Sequence, residues 1–164
     1  MRRLTSAERA QLRLHIGDLL DDGDVQRMRD FVQHGDTSTF AHAMLVTYVS
    51  YLLCVRLGLR ADLRQLARGA LLHDFYLYDW HDPNRERRLH GFTHPRTALK
   101  NAAERFELTS LERQIILCHM WPLTLRHMPT RVEGLIVCLA DKYCALRETV
   151  PTARRFARRI LPWR

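Results

Sequence analysis

Apolar residues recur along this chain at helical intervals, and no stretch alternates with the period of two that a half-buried strand requires. Thr5-Ser6-Ala7-Glu8 has the spacing of a capping box, and Leu12, Ile16, Leu19 and Leu20 follow it, so a first helix is expected up to Asp21-Asp22-Gly23. A second, short helix is expected over Val25 to Val32, closed by His34-Gly35. Thr37 or Ser38 can cap a long third helix running to about Leu57, with Gly58 as its stop. Asp62 caps a fourth, whose stripe of Leu63, Leu66, Ala67 and Ala70 arrives at His73. The pattern then breaks over Phe75 to Asn84, the longest irregular stretch and therefore the expected loop over a site. Helix resumes at His94-Pro95, since proline suits a first helical position, and continues through Ala98, Ala102 and Phe106. Thr109-Ser110-Leu111-Glu112 repeats the capping box, and Ile115 and Ile116 lead to His119 before Pro122. The last core helix is expected over Arg131 to Leu146, with at most a short basic helix from Pro151 to Arg164. The predicted class is all-α, one compact helical domain.

Composition adds a bias. The 164 residues suit one domain with a sizeable core. The formal net charge of +8 comes from 26 basic residues, all arginine except Lys100 and Lys142. An excess of positive charge favours anionic partners, whether phosphates, nucleic acid or acidic membrane surfaces, without choosing among them. Cys54, Cys118, Cys138 and Cys144 form no C-x-x-C pair and lie in apolar helical patterns, which fits core thiols in a reducing compartment. Met1 to Asp22 is charged throughout, and no uninterrupted apolar run approaches the roughly 18 to 20 residues of a membrane span. A soluble cytoplasmic protein is expected.

Polar residues on apolar faces carry the chemistry. His42 begins the stripe of Leu45, Val46, Val49, Leu52 and Leu53, which puts an imidazole on the buried side of the third helix. His73 and Asp74 end the fourth helix, His94 precedes the fifth, His119 follows the sixth, and Asp141 shares a face with Val137, Cys138, Cys144 and Ala145. Each buried imidazole or carboxylate needs a partner. One metal centre would satisfy all of them together, since every one is a nitrogen or oxygen ligand.

The ordered pattern H…HD…H…H…D resembles the HD-domain superfamily of metal-dependent phosphohydrolases, over roughly Thr37 to Glu148. The resemblance implies that His42, His73, Asp74 and Asp141 bind one divalent metal. It implies further that His94 and His119 mark the binuclear branch, with Asp74 bridging two ions of iron, manganese, cobalt or magnesium. His90 is the alternative to His94, which fits better because Ala98 and Ala102 behind it allow close packing. The implied organisation is an N-terminal helical extension (1–36) packed on the core, an HD domain (37–148) and a basic tail (149–164).

The implied activity is hydrolysis of a phosphomonoester or phosphodiester, nucleotides and cyclic nucleotides included, by a metal-bridging hydroxide. No side-chain nucleophile is then required, and the chain has neither a G-x-S-x-G elbow nor a P-loop. Lys142, beside Asp141, joins Asp74 as a catalytic candidate because a cation is needed to meet the phosphate. Arg85, Arg88, His90, Arg96 and Trp121 are the candidates for binding an anionic small-molecule substrate, with Arg87, Phe75, Tyr76, Tyr78 and Trp80 nearby in sequence. The GYP signature of cyclic-di-GMP hydrolases is missing, so that substrate is not supported. Two other readings share these residues. One is a di-iron oxygenase of the same superfamily. The other is a non-catalytic binding module whose basic segment Arg154-Arg155-Phe156-Ala157-Arg158-Arg159-Ile160 docks on nucleic acid or an acidic membrane.

Overall fold

The third helix is apolar on nearly every side, and it lies chiefly against the fourth and the last of the helices. The computed structural model describes residues 2–81 and 89–149. Within them the order is α1 (Ser6–Leu20), α2 (Gly23–Arg27), a 3-10 turn at Met28–Asp30, β1 (Val32–His34) and β2 (Thr37–Ser38). Then come α3 (Thr39–Leu57), α4 (Leu63–Leu72), α5 (His90–Arg105), α6 (Ser110–Cys118) and α7 (Val132–Thr149). One side of α3, with Phe40, Met44, Tyr48 and Tyr51, packs on Leu12, Ile16 and Leu19 of α1 and on Leu71 and Leu72 of α4. The other, with Leu45, Val46 and Cys54, meets Leu66 and Ala70 of α4, Ile115 of α6, and Val137 and Cys144 of α7. A helix consumed on both sides needs no polar face. Thr39–Leu57 is long and apolar enough to cross a membrane, but most of it is buried inside this domain.

The helix ends follow the sequence signals. Thr5 and Thr109 close capping boxes with Glu8 and Glu112, Ser38 and Asp62 cap α3 and α4, and Gly58 ends α3 in the left-handed region at φ +61°. Charged groups tie the periphery to the core. Arg68 of α4, itself buried, donates from Nε to Glu112 at 2.8 Å and also grips Asp18 of α1. Close approach of α4 and α6 depends on Gly69, where a Cβ would lie 2.9 Å from three side-chain carbons of Ile115.

Four elements depart from expectation. The second helix stops at Arg27, and the chain enters an antiparallel ribbon that pairs Val32 with Ser38 and His34 with Thr37 around Gly35, at φ +58°. Strands of three and two residues are too short to show a period. Helix α5 begins at His90, four residues before the expected start. Its first carbonyl partner is Leu89, which accepts from Phe92 N, Thr93 N and Thr93 Oγ1, each at 2.9 Å. Pro95 therefore lies inside the helix and forgoes only its own bond to the Gly91 carbonyl. Helix α7 starts one residue late and runs past Leu146 to Thr149. Arg85, Arg87, Arg88 and the basic tail after Thr149 lie outside the described residues.

Candidate metal centre

Two helices end on the same device. His73 and His119 are the C-terminal caps of α4 and α6, and each turns its Nδ1 back to the carbonyl three residues earlier, Ala70 at 2.7 Å and Ile116 at 2.8 Å. These carbonyls are among those a helix end leaves without an internal partner. His94 does the same within α5, to the His90 carbonyl at 2.8 Å. His42 points its Nδ1 at the Glu148 carboxylate, 2.7 Å away on α7. A carbonyl or ionised carboxylate can only accept, so all four imidazoles carry their proton on Nδ1, and a neutral ring presents the lone pair of Nε2.

Those four Nε2 atoms gather around Asp74 and Asp141. Asp74 Oδ2 lies 3.2 Å from His73 Nε2 and 3.8 Å from His42 Nε2, while Asp141 Oδ1 lies 3.0 Å from His42 Nε2 and 3.6 Å from His73 Nε2. Asp74 Oδ1 faces the other way, 3.2 Å from His94 Nε2 and 3.6 Å from His119 Nε2. The carboxylate of the His-Asp pair thus divides the donors into one set of His42, His73 and Asp141 and another of His94 and His119. All six residues are buried. Asp74 Oδ1 and His73 Nε2 have no hydrogen-bond partner, and the Nε2 atoms of His94 and His119, both lone-pair donors in these tautomers, sit 2.8 Å apart. Buried acceptors without donors are expensive. A divalent cation is the group that fits them, and the site could hold a metal ion.

Electrostatics without an ion point the same way. Burial alone would raise the Asp74 carboxyl, but the charge of His73, with that of His94, holds it well below the usual carboxylate range. Asp141 is likewise held down, against burial, by His42 and His73. Burial opposes charge on His42, yet Asp141 and Glu148 lift it to about 9, and Asp74 and Asp141 lift His73. Burial and the charge of His73 and His94 push His119 down to about 3.

The remaining candidates separate. A cavity of about 750 Å³ opens over Asp74, with His34, His94, His119, Asp141 and Lys142 on one wall and Trp80, Phe92, Met120 and Leu123 on another. Lys142 reaches it with Nζ donating to the His119 carbonyl at 2.9 Å. His90 lines the cavity without pointing a free nitrogen at Asp74. Its Nδ1 pairs with the Tyr78 hydroxyl at 2.9 Å, its ring stacks on Trp80 and His94, and burial together with the His94 charge lowers it to about 4. Arg96 is exposed on α5, and neither it nor Trp121 is among the lining residues.

Three residues at the site had no role in the sequence expectation. Glu148 lies seven residues after Asp141, two turns along the same face of α7, and that spacing was the available signal. Gln33 donates from Nε2 to Asp74 Oδ2 at 2.7 Å. His34 faces His42 edge-on with ring centroids 5.5 Å apart. Both of these come from the ribbon that periodicity did not reveal.

Neither the curated proteins nor the solved structures contain a match to this chain. A family model described as HD domain matches residues 39–146, about two-thirds of the chain. The matched segment runs from the start of α3 into α7 and takes in all six of these buried histidines and aspartates, while Gln33, His34 and Glu148 fall outside it. On that match, and with His73-Asp74 at the meeting point of the two donor sets, this chain belongs to the HD-domain family.

Proposed function

We propose that the protein is a two-metal phosphohydrolase acting on an anionic phosphate ester. The observation that carries this reading is the division of the buried donors by the two oxygens of Asp74. His42, His73 and Asp141 with Asp74 Oδ2 would hold one divalent ion, and His94 and His119 with Asp74 Oδ1 the other. When bound, such ions supply Lewis acidity to phosphoryl oxygens and acidify water.

The chain's own residues do the rest. Glu148, Ala70, His90 and Ile116 fix the tautomers that aim the four imidazoles. Lys142 lines the cavity with its Nζ bonded to the His119 and Cys138 carbonyls, and its charge would favour a phosphate oxygen there. Trp80, Phe92, Met120 and Leu123 give the organic part of an ester an apolar surface. The thiols take no part as nucleophiles. All four are buried, and burial pushes Cys54 up to about 11 and Cys118 up to about 12, so neither is a thiolate at neutral pH.

The test is elemental analysis of protein purified without added metal, followed by a phosphoester panel with manganese, iron, cobalt and magnesium in turn. Two metal equivalents and metal-dependent phosphate release are expected. Iron with substrate-dependent oxygen uptake and no phosphate release would replace this reading with an oxygenase.

A further inference from the structure

Asp74 serves both donor sets only while each of its oxygens keeps facing its own set, and the polar contacts around it show what holds that orientation. Resting on the two-metal reading, we infer that Gln33 is the positioning residue for Asp74, and that the β-ribbon before the matched segment is therefore part of the metal centre.

The hydrogen bonds fix the direction of the chain of contacts. Gln33 Nε2 donates its amide proton to Asp74 Oδ2 at 2.7 Å. The Gln33 carbonyl oxygen then faces the Tyr76 hydroxyl and takes its proton. The Tyr76 oxygen in turn lies 3.3 Å from Thr39 Oγ1, whose hydroxyl donates to the Phe31 carbonyl at 3.2 Å. Asn101 pins the backbone of the same segment, with Nδ2 donating to the Phe75 and Tyr76 carbonyls at 3.0 Å each. Gln33, Thr39, Asp74 and Tyr76 are all buried, so no solvent competes for these bonds. Only Oδ2 of Asp74 is taken up in this way. Oδ1 is left without a hydrogen bond and faces His94 and His119. A hydrogen bond to one oxygen opposes rotation of the carboxylate about its Cβ–Cγ bond and so favours keeping the uncommitted oxygen aimed at the second donor set. Supporting hydrogen bonds of this kind typically change metal affinity by about 10 to 100-fold when removed.

The experiment titrates Mn2+ into metal-stripped protein by calorimetry and electron paramagnetic resonance, for the wild type, Gln33→Leu, Gln33→Met and Tyr76→Phe. Far-UV circular dichroism and melting curves confirm that each variant is folded, and Met offers nearly the shape of glutamine without its polar atoms. The wild type should bind two Mn2+ with the spectrum of a coupled pair. The Gln33 variants should bind the weaker Mn2+ about 10 to 100-fold less tightly and lose the coupled-pair spectrum, while Tyr76→Phe, which removes only the outer link, should fall between. A folded Gln33→Leu or Gln33→Met protein with two Mn2+ bound at wild-type affinity and coupling overturns the role of Gln33 and leaves the two-metal reading standing. A wild-type protein that binds no second Mn2+ overturns both.

Discussion

Removing the carboxylate of Glu148 tests whether a residue outside the ligand shell governs the metal centre. Its Oε2 accepts the His42 Nδ1 proton at 2.7 Å, and both side chains are buried. In Glu148→Gln the amide oxygen can still accept that proton, so the tautomer survives and the charge is lost. In Glu148→Leu both go. A hydrogen bond to a charged group contributes about 1.5–3 kcal/mol and a neutral one about 0.5–1.5. The glutamine variant should therefore lose roughly 1 kcal/mol of support for His42. The leucine variant should approach the upper end of the range for outer-shell partners, about 100-fold in metal affinity or roughly 2.7 kcal/mol. Protonation supplies a second readout. In metal-free protein His42 is raised from 6.5 to about 9, so the stability it contributes is complete below pH 6.5 and is lost as pH rises through 9. Glu148→Gln should flatten that loss, measured as the change in unfolding free energy between pH 6 and pH 9 in chelator-treated protein. Metal affinity is read by competition with a chromogenic chelator. If Glu148→Leu keeps wild-type affinity and wild-type pH dependence while remaining folded, His42 is not oriented by Glu148 and the argument from tautomers fails.

Other perturbations act on separate features. Asp74→Ala should remove bound metal and abolish phosphate release while far-UV circular dichroism stays near wild type; full metal content in this variant would contradict its place between the donor sets. His94→Ala should lose one metal equivalent by elemental analysis and His90→Ala none, because only His94 turns Nε2 toward Asp74. Gly69→Ala should destabilise the fold by about 1–3 kcal/mol, since its methyl would meet Ile115 at 2.9 Å. Ile115→Val in the same chain should recover part of that loss in thermal unfolding, and no recovery would place the strain elsewhere. Glu8, lowered to about 2 chiefly by its hydrogen bond from Arg56, stabilises the protein fully above about pH 4.5 and less as pH falls toward 2. The melting temperatures of wild type and Glu8→Gln should accordingly differ most above pH 5 and converge near pH 2.

The parts of this protein readable from sequence are those with a local rule behind them. Thr5 and Thr109 announce helix starts through their own side chains, and Gly58 announces a stop through its backbone freedom. His42 and Asp141 were visible because an apolar stripe of three or four turns surrounds each. Gln33 gave no such signal. A glutamine in a three-residue strand is indistinguishable by pattern from a surface residue, and only its contact with a residue 41 positions later gives it a function. Pro95 misled for a definable reason. Its preference for a first helical position is real, but the Leu89 carbonyl starts α5 one turn and more before it. Lys142 was placed beside Asp141 by adjacency, yet neighbouring helical positions point about 100° apart, and its amine reaches the site through the His119 carbonyl instead.

The ends of α4 and α6 carry a consequence for the order of events. Both helices terminate at this centre, and a helix C-terminus carries about half an elementary charge of negative sign. Added to Asp74 and Asp141, these ends favour a cation at the bottom of the cavity. On the two-metal reading proposed above, ions held at those ends would precede an anionic substrate, and metal would bind first.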